Sequence, residues 1–540
     1  MKKKLNFLIC VISIILAFSL LFSGCGDSAT QGNGATPPTG NSETDAGGAQ
    51  QAGSSSGRTD IIYGLTMEPA TLDPSATGDM IAHMAIIQIY DSLLLPTPGD
   101  MNTPMPGIAE SYEVNEAGDE YIFKIREGVK FHNGDTMTMD DVFFSMERAL
   151  NSSFHSTFTA SIEKWEVVDD THLKLVLKYP YKPILQILSS SRFGIMSKAD
   201  VEKVEGEGKE YGRAPIGTGP YKFVSWTKGD HIQLAANEDY WRTPASIKDL
   251  KLKFIADAAT GDLANETGEI DFFSGTLFVN RPHLLEVERL QNSGGGSAGV
   301  QTIVMNVAEG PFTNKLVRQA VAYAIDKESI MLGAFEGYGT VADGFWCPYM
   351  WGYQEGFPGY QQDVEKAKEL MKEAGMEKGF STEWKTLGTA SYYPTAEVAI
   401  EQIRAIGIDA TLVKLEKAAN VEQTQNLKQY EISNTLAYGN IADVDYIYTR
   451  FLHSSGADKP GNNYAKYVNK EVDQLIEAAR VEQDDAKRKE AYWRINEIIK
   501  EDCPYIPWGV CENMVFANKD LNGFAYDGVE RYIVYDWSWK

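Results

Sequence analysis

The sequence predicts an α/β protein with mixed sheets, divided into more than one lobe. Strand-like apolar runs exchange with amphipathic helical runs along most of the chain, from residues 61–65 to residues 506–510, the pattern of layered α/β packing. At 540 residues the chain exceeds what one core comfortably fills. Hydrophobic and aromatic contents of 43% and 11% are ample for packing. No short internal repeat points to a solenoid.

The chain opens with Lys2, Lys3 and Lys4, an apolar run over residues 5–22 and the small pair Ser23-Gly24 before Cys25. This reads as a secretory leader, residues 1–24, ending in a lipobox, although Phe22 stands where Leu is usual. Lipidation at Cys25 would anchor the mature protein to the outer face of the bacterial cytoplasmic membrane. Residues 25–58 are Gly, Ser, Thr, Ala, Gln and Pro with few large apolar side chains, the composition of a flexible tether.

Folded structure is expected from about Asp60. A strand over residues 61–65 is broken at Leu72-Asp73-Pro74, and a helix follows over residues 80–94. Tyr121, Phe123 and Ile125 alternate with Ile122, Lys124 and Arg126 as a half-buried strand does. Gly128 and His132-Asn133-Gly134 supply turn chemistry. Thr138 and Asp141 form a capping box for a helix whose stripe is Val142, Phe143, Met146, Ala149 and Leu150. Two strands, 165–168 and 173–177, are joined at Asp169-Asp170. Gly294-Gly295-Gly296 reads as a flexible run leading into an apolar strand over residues 300–306, a crossing between lobes. Asn314 caps a helix bearing Val317, Ala320, Val321 and Ala324, and Asp363 caps another closed by Gly375. Helices over 471–480 and 485–499 precede the returning strand at 506–510.

Residues 109–150, AESYEVNEAGDEYIFKIREGVKFHNGDTMTMDDVFFSMERAL, closely resemble the signature segment of the extracytoplasmic solute-binding proteins of ABC importers, the peptide/nickel (oligopeptide-binding) family 5. GTGPY at 217–221 with Trp226 and the Asn237–Trp241 segment, and RQAVAYAIDKESI at 318–330, resemble further stretches of that family. The resemblance runs from about Asp60 to the C-terminus. It implies a two-lobed, hinged, periplasmic-binding-protein-like fold of type II, in the large cluster with an extra N-terminal subdomain. Lobe I would comprise residues 59–95, 185–295 and 508–540, the extra subdomain 96–184, and lobe II 296–507. Such a receptor closes on its solute, because contacts made by both lobes exist only in the closed form. The implied partners are a peptide-like or other small solute, the permease subunits of an importer and, through lipid, the membrane; the receptor would be a monomer without cofactor.

In peptide-binding relatives the stretch corresponding to residues 434–451, NTLAYGNIADVDYIYTRF, carries an acidic side chain that pairs with the ligand's α-amino group. Alignment puts Asn440 at that position and Ala437 where Trp is usual. A buried ammonium needs a compensating charge, and an amide supplies only a dipole. A register slip would make Asp443 or Asp445 the partner instead, and an uncharged oligosaccharide is the alternative ligand. Trp346 and Tyr438 are the aromatic contacts expected, each balanced against core packing; Met80 and His83 on the early helix complete the candidate site. Tyr240 and Trp241 are expected to pack in the core. The same fold acting as an extracellular sensor is the alternative role.

The formal net charge of -25 argues against nucleic acid and suits a solvated, exported surface. The five cysteines include no CxxC pair; Cys503 and Cys511 are read either as a bridge or as free thiols. The seven histidines show no ligand-like spacing, so no metal site is expected, and His132 is read as structural. Residues 295–299 match G-x-S-x-G, but a glycine run precedes Ser297 and a strand follows it, the reverse of a nucleophile elbow. The protein is therefore not expected to be an enzyme.

Overall fold

In the computed structural model, residues 57–540 are described apart from 99, 390, 391, 440, 442 and 527. The leader, Cys25 and most of the tether lie outside the described residues.

Two sheet regions meet on one long strand. Tyr505–Asn518 pairs along its first half with Gly299–Met305 and Gly339–Val341, and along its second with Leu290–Gly296 and Phe272–Phe273. On one side the sheet continues through Ile432–Tyr438 to Phe380–Leu387 and Ile408–Leu415; on the other it continues through Asp60–Leu65 to Asp249–Phe254 and beyond. Parallel and antiparallel pairs mix within it, as expected. Separate apolar cores cover the two sides: one holds Tyr63, Ile86, Leu250 and Val515, the other Ile303, Val321, Trp384 and Ile432.

A second, antiparallel sheet of four strands carries Ala109–Val114, Glu120–Ile125, His172–Leu177 and Ile162–Val167. Tyr121, Phe123 and Ile125 are its buried positions, and Ile122 and Lys124 face out, so the period-two reading holds. The helix Met139–Leu150 opens with the capping box: Asp141 N–H donates to Thr138 Oγ1, and Thr138 N–H donates back to Asp141 Oδ2 at 2.9 Å. Asn314, Asp363 and Asn469 cap their helices with side-chain acceptors.

Two expectations are corrected. The early helix is Met80–Ile89 and stops short of residue 94. Tyr90 is extended, and the carbonyl of Ile89 accepts the N–H of Gly219 at 2.9 Å, so the glycine loop takes over a helix-end acceptor. Gly219 fits there for lack of a side chain: a Cβ would meet Ile89 C at 2.5 Å and Tyr90 N at 2.7 Å. The second correction concerns the glycine run. Residues 294–296 are the end of a paired strand, opposite Met514, Asn513 and Glu512. A Cβ on Gly296 would meet the Tyr349 ring at 1.7 Å, so glycine there permits close approach rather than flexibility.

The free-thiol reading of Cys503 and Cys511 is the one found; both are buried. Ser297 sits between two strands with its N–H donating to Cys511 O at 3.0 Å, and no helix follows it. Among the described residues no helix is long and apolar enough to cross a membrane, and no cluster of His, Cys, Asp and Glu could hold a metal ion.

Candidate functional site

The strand Ile432–Tyr438 runs beside Gly299–Met305 and ends at the half-buried Tyr438. Asn440 lies outside the described residues. Asp443 then caps the helix Val444–Leu452, accepting the N–H of Asp445 at 2.9 Å. Its carboxylate is otherwise committed. Arg488 grips it with two parallel bonds of 2.8 and 2.9 Å while lying over the Trp351 ring, a bidentate pairing of the strong kind. Asp443 is 4% exposed, and burial pushes its carboxyl upward against the pull of Arg488. Asp445 accepts from Tyr492 OH at 2.7 Å and lies 3.6 Å from Arg480 Nε. Both acids of this segment thus hold helices together. Trp346, 2% exposed, packs edge-on against Tyr353 and Phe357.

Met80 and His83 come together differently. They line a cavity of about 60 Å³ with Ser191, Arg192 and residues 529–531. His83 is buried, its Nδ1 3.1 Å from Ser191 Oγ and its Nε2 3.3 Å from the carbonyl of Thr77. A carbonyl can only accept, so Nε2 carries the proton and Nδ1 receives the serine hydroxyl. Burial, reinforced by Arg192 and His155, holds this imidazole neutral well below its ordinary range.

Arg192 was not among the residues singled out from sequence. It sits in the short turn Ser191–Phe193 and is 7% exposed. One N–H donates to Ser190 Oγ at 3.2 Å, its guanidinium lies 4.5 Å from the Phe158 ring centre, and Nε has no hydrogen-bond partner. Burial lowers its pKa, opposed by the phenol oxygens of Tyr446 and Tyr438. Among the described residues no carboxylate pairs with it. The signal was there to read: Arg192 is the one charge between Ile184 and Met196 in a run of apolar residues and serines.

Tyr438 belongs to a different and larger cavity. It lines a polar space of about 290 Å³ with Ser433, Asn434, Arg450 and Tyr464, and lies within electrostatic reach of Arg192. Tyr446 stacks on Phe158 at 5.8 Å. The helix Val444–Leu452 therefore touches the segment that follows the helix Met139–Leu150. Further along, Lys182 Nζ donates to Asp485 Oδ1 and Gln483 O, each at 2.6 Å, and Arg480 lies 5.4 Å over the Tyr179 ring. A groove of about 930 Å³ runs past Thr382, Lys385, Lys428 and Glu431 and contains none of the predicted site residues.

A structure with two sheet regions joined by a shared strand, and cavities where distant segments meet, defines a hinged solute-binding protein. The model of bacterial extracellular solute-binding proteins, family 5, matches residues 103–459, and the chain belongs to this family, the peptide/nickel family of extracytoplasmic solute-binding proteins of ABC importers. Its architecture is the family's two-lobed mixed α/β fold. The glutathione-binding protein GsiB of Escherichia coli K12 is 29% identical over 479 residues, which cover 86% of this chain and 91% of GsiB. HbpA2 from Haemophilus parasuis superposes with a TM-score of 0.79 at 27% identity, covering 89% of this chain and 100% of that one. DppA from Helicobacter pylori, solved with the peptide STSA, gives 0.79 at 26% identity, covering 89% and 98%.

Proposed function

We propose that this chain is the lipid-anchored receptor of an ABC importer, capturing a peptide-like solute between its lobes and delivering it to the permease. The observation that carries this reading is that Met80, His83 and Arg192 line one cavity and Tyr438 another, while Tyr438 and Tyr446, far away in sequence, lie close enough to Arg192 to act on its charge. Lobe I is taken as residues 59–95, 185–295 and 508–540, the extra subdomain as 96–184 and lobe II as 296–507. An apolar core on each side of the shared strand supports that division, while a third buried cluster joins subdomain residues such as Phe123 and Trp165 to lobe II residues such as Trp346 and Tyr492. A solute touched from both sides binds the closed form selectively and so shifts the population toward it. The peptide-like class is supported by two relatives, one named for glutathione and one solved with STSA.

Within this reading Tyr438, Met80 and His83 line the solute's path and Asn440 follows Tyr438 in chain order, whereas Asp443 and Trp346 support the site from within the packing. The leader directs export, lipidated Cys25 provides the anchor, and the chain after Cys25 provides the reach.

Native mass spectrometry of the gently purified protein tests the solute class directly. The expected result is a bound species whose fragmentation gives amino-acid residues. A bound saccharide, or a protein that retains and binds no peptide, would contradict it. The Cys25→Ala protein is expected to lose incorporation of labelled fatty acid that the wild type shows; equal labelling of both would contradict the anchor.

A further inference from the structure

The extra subdomain, residues 96–184, is clasped to lobe I. Arg148 Nη2 donates to Asp73 Oδ2 at 2.7 Å and to Glu205 Oε1 at 2.6 Å. Met196 N–H donates to Ser145 Oγ and Lys198 N–H to Asp141 Oδ1, each at 2.9 Å. The subdomain meets lobe II near its last residues, Tyr179-Pro180-Tyr181-Lys182-Pro183, which follow the strand His172–Leu177. The Arg480 guanidinium lies 5.4 Å over the Tyr179 ring centre. Tyr181 is buried within electrostatic reach of Asp443, Asp445 and Arg480. Lys182 Nζ donates to Asp485 Oδ1 and Gln483 O, each at 2.6 Å. None of Tyr179, Lys182, Arg480 and Asp485 lines either cavity that holds candidate site residues.

We infer that residues 179–182 are a latch: they ride with lobe I, seat on the junction of the helices Lys470–Val481 and Asp485–Asp502 when the cleft shuts, and set how long the solute stays without touching it.

Both halves of the contact are held ready. Pro180 and Pro183 fix two φ angles in a segment of five residues, and the Tyr179 and Tyr181 rings stand edge to face at 6.2 Å, so little freedom is lost when the segment seats. Across from it, Arg480 donates to Thr449 Oγ1 at 2.6 Å and lies 3.6 Å from Asp445 Oδ1, which accepts from Tyr492 OH. The packing of lobe II therefore aims this guanidinium. Its side chain is 15% exposed, and a cation–π pair so desolvated contributes more than an exposed one. Phe158 of the same subdomain stacks on Tyr446 at 5.8 Å. Asp445, Tyr446 and Thr449 all belong to the helix Val444–Leu452, which follows Tyr438 and Asn440 in the chain. The element nearest the candidate site is thus the one the latch grips. A contact made only in the closed form adds to its population, and the gain falls on dissociation.

This inference rests on the receptor reading and its division into lobes, and the test separates the two. Hydrogen exchange of residues 177–184 and 480–487 is followed in the mature protein in three states: as purified, stripped by unfolding and refolding, and stripped with glutathione or the peptide STSA added. Both segments are expected to exchange faster once stripped and to regain protection with a probe that binds. Stopped-flow binding of that probe is then compared between wild type, Tyr179→Ala and Tyr179→Phe. Tyr179→Ala is expected to release the probe about three- to tenfold faster, with association changed by less than about twofold, whereas Tyr179→Phe keeps the ring and stays near wild type. Stripped Tyr179→Ala is expected to unfold at the wild-type temperature, because the open protein does not make the contact. A merely structural tyrosine would lower that temperature and leave release unchanged. Exchange that is the same in every state despite binding, or a release rate untouched by Tyr179→Ala, overturns the latch and leaves the receptor standing. If neither probe binds but stripping still exposes both segments, the latch stands and the peptide class of solute falls. If neither probe binds and stripping changes nothing, the receptor reading and the latch fall together.

Discussion

At the scale of single residues, the sequence signature proves to be a packing knot. His132 Nδ1 accepts the N–H of Gly217 at 3.2 Å, and its Nε2 donates to Gly219 O at 3.0 Å. The turn at residues 132–134 and the loop at 217–221, two separate stretches of the family resemblance, are thus one structure clasped to the end of the helix Met80–Ile89. Burial holds the His132 imidazole down to about 4. Below its ordinary range the unfolded chain takes up a proton that the folded chain refuses until that value, so stability is lost as pH falls. From about pH 7 to about pH 5 this single residue should account for about 2 kcal/mol. Urea unfolding at both pH values is expected to show that drop in wild type and a smaller one in His132→Gln. Equal slopes would contradict the role given to His132. Asp91, which accepts from Tyr240 OH at 3.0 Å and Trp241 Nε1 at 2.7 Å, is pushed up to about 6 by burial. It acts in the opposite direction, taking up its proton earlier in the folded state as pH falls. The comparison of variant with wild type cancels that contribution.

Elements show where local signals suffice and where they do not. Caps at Thr138, Asn314 and Asp363 and the alternation at residues 121–125 were legible because each needs only a few adjacent residues. The end of the early helix was not, because the groups that stop it, Gly219 and Thr218, arrive from more than a hundred residues later in the chain. The glycine run at 294–296 was misread for the same reason: its requirement is the ring of Tyr349, a neighbour only in space. Gly219 gives the sharper test, since its crowding atoms are backbone and cannot swing aside. Gly219→Ala is expected to lose about 2–3 kcal/mol in denaturant unfolding, the upper range for overpacking. A loss under about 0.5 kcal/mol, typical of tolerant surface positions, would mean the loop is not clamped to the helix end.

Over the whole molecule, the two-lobed design was legible through length and resemblance, whereas the cavities that candidate side chains line form only in the folded chain. Met80, His83 and Tyr438 line enclosed space. Trp346 and Asp443 are buried and engaged by neighbours, which no spacing along the chain reveals. Arg192 stands out only in the folded chain, because a sequence shows charges without showing which of them meet. The central claim is that a solute bridges the lobes and holds them shut. Contacts such as Lys182 with Asp485 are exposed on the acid's side, and surface pairs of this kind contribute less than about 1 kcal/mol, so such pairs add little to closure beside apolar contacts like Phe158 on Tyr446. Small-angle X-ray scattering of the mature protein, stripped of solute and then saturated with a short peptide that it binds, tests this most directly. The account predicts a smaller radius of gyration in the saturated protein than in the stripped one; an identical radius in both, with binding verified calorimetrically in the same samples, would contradict it.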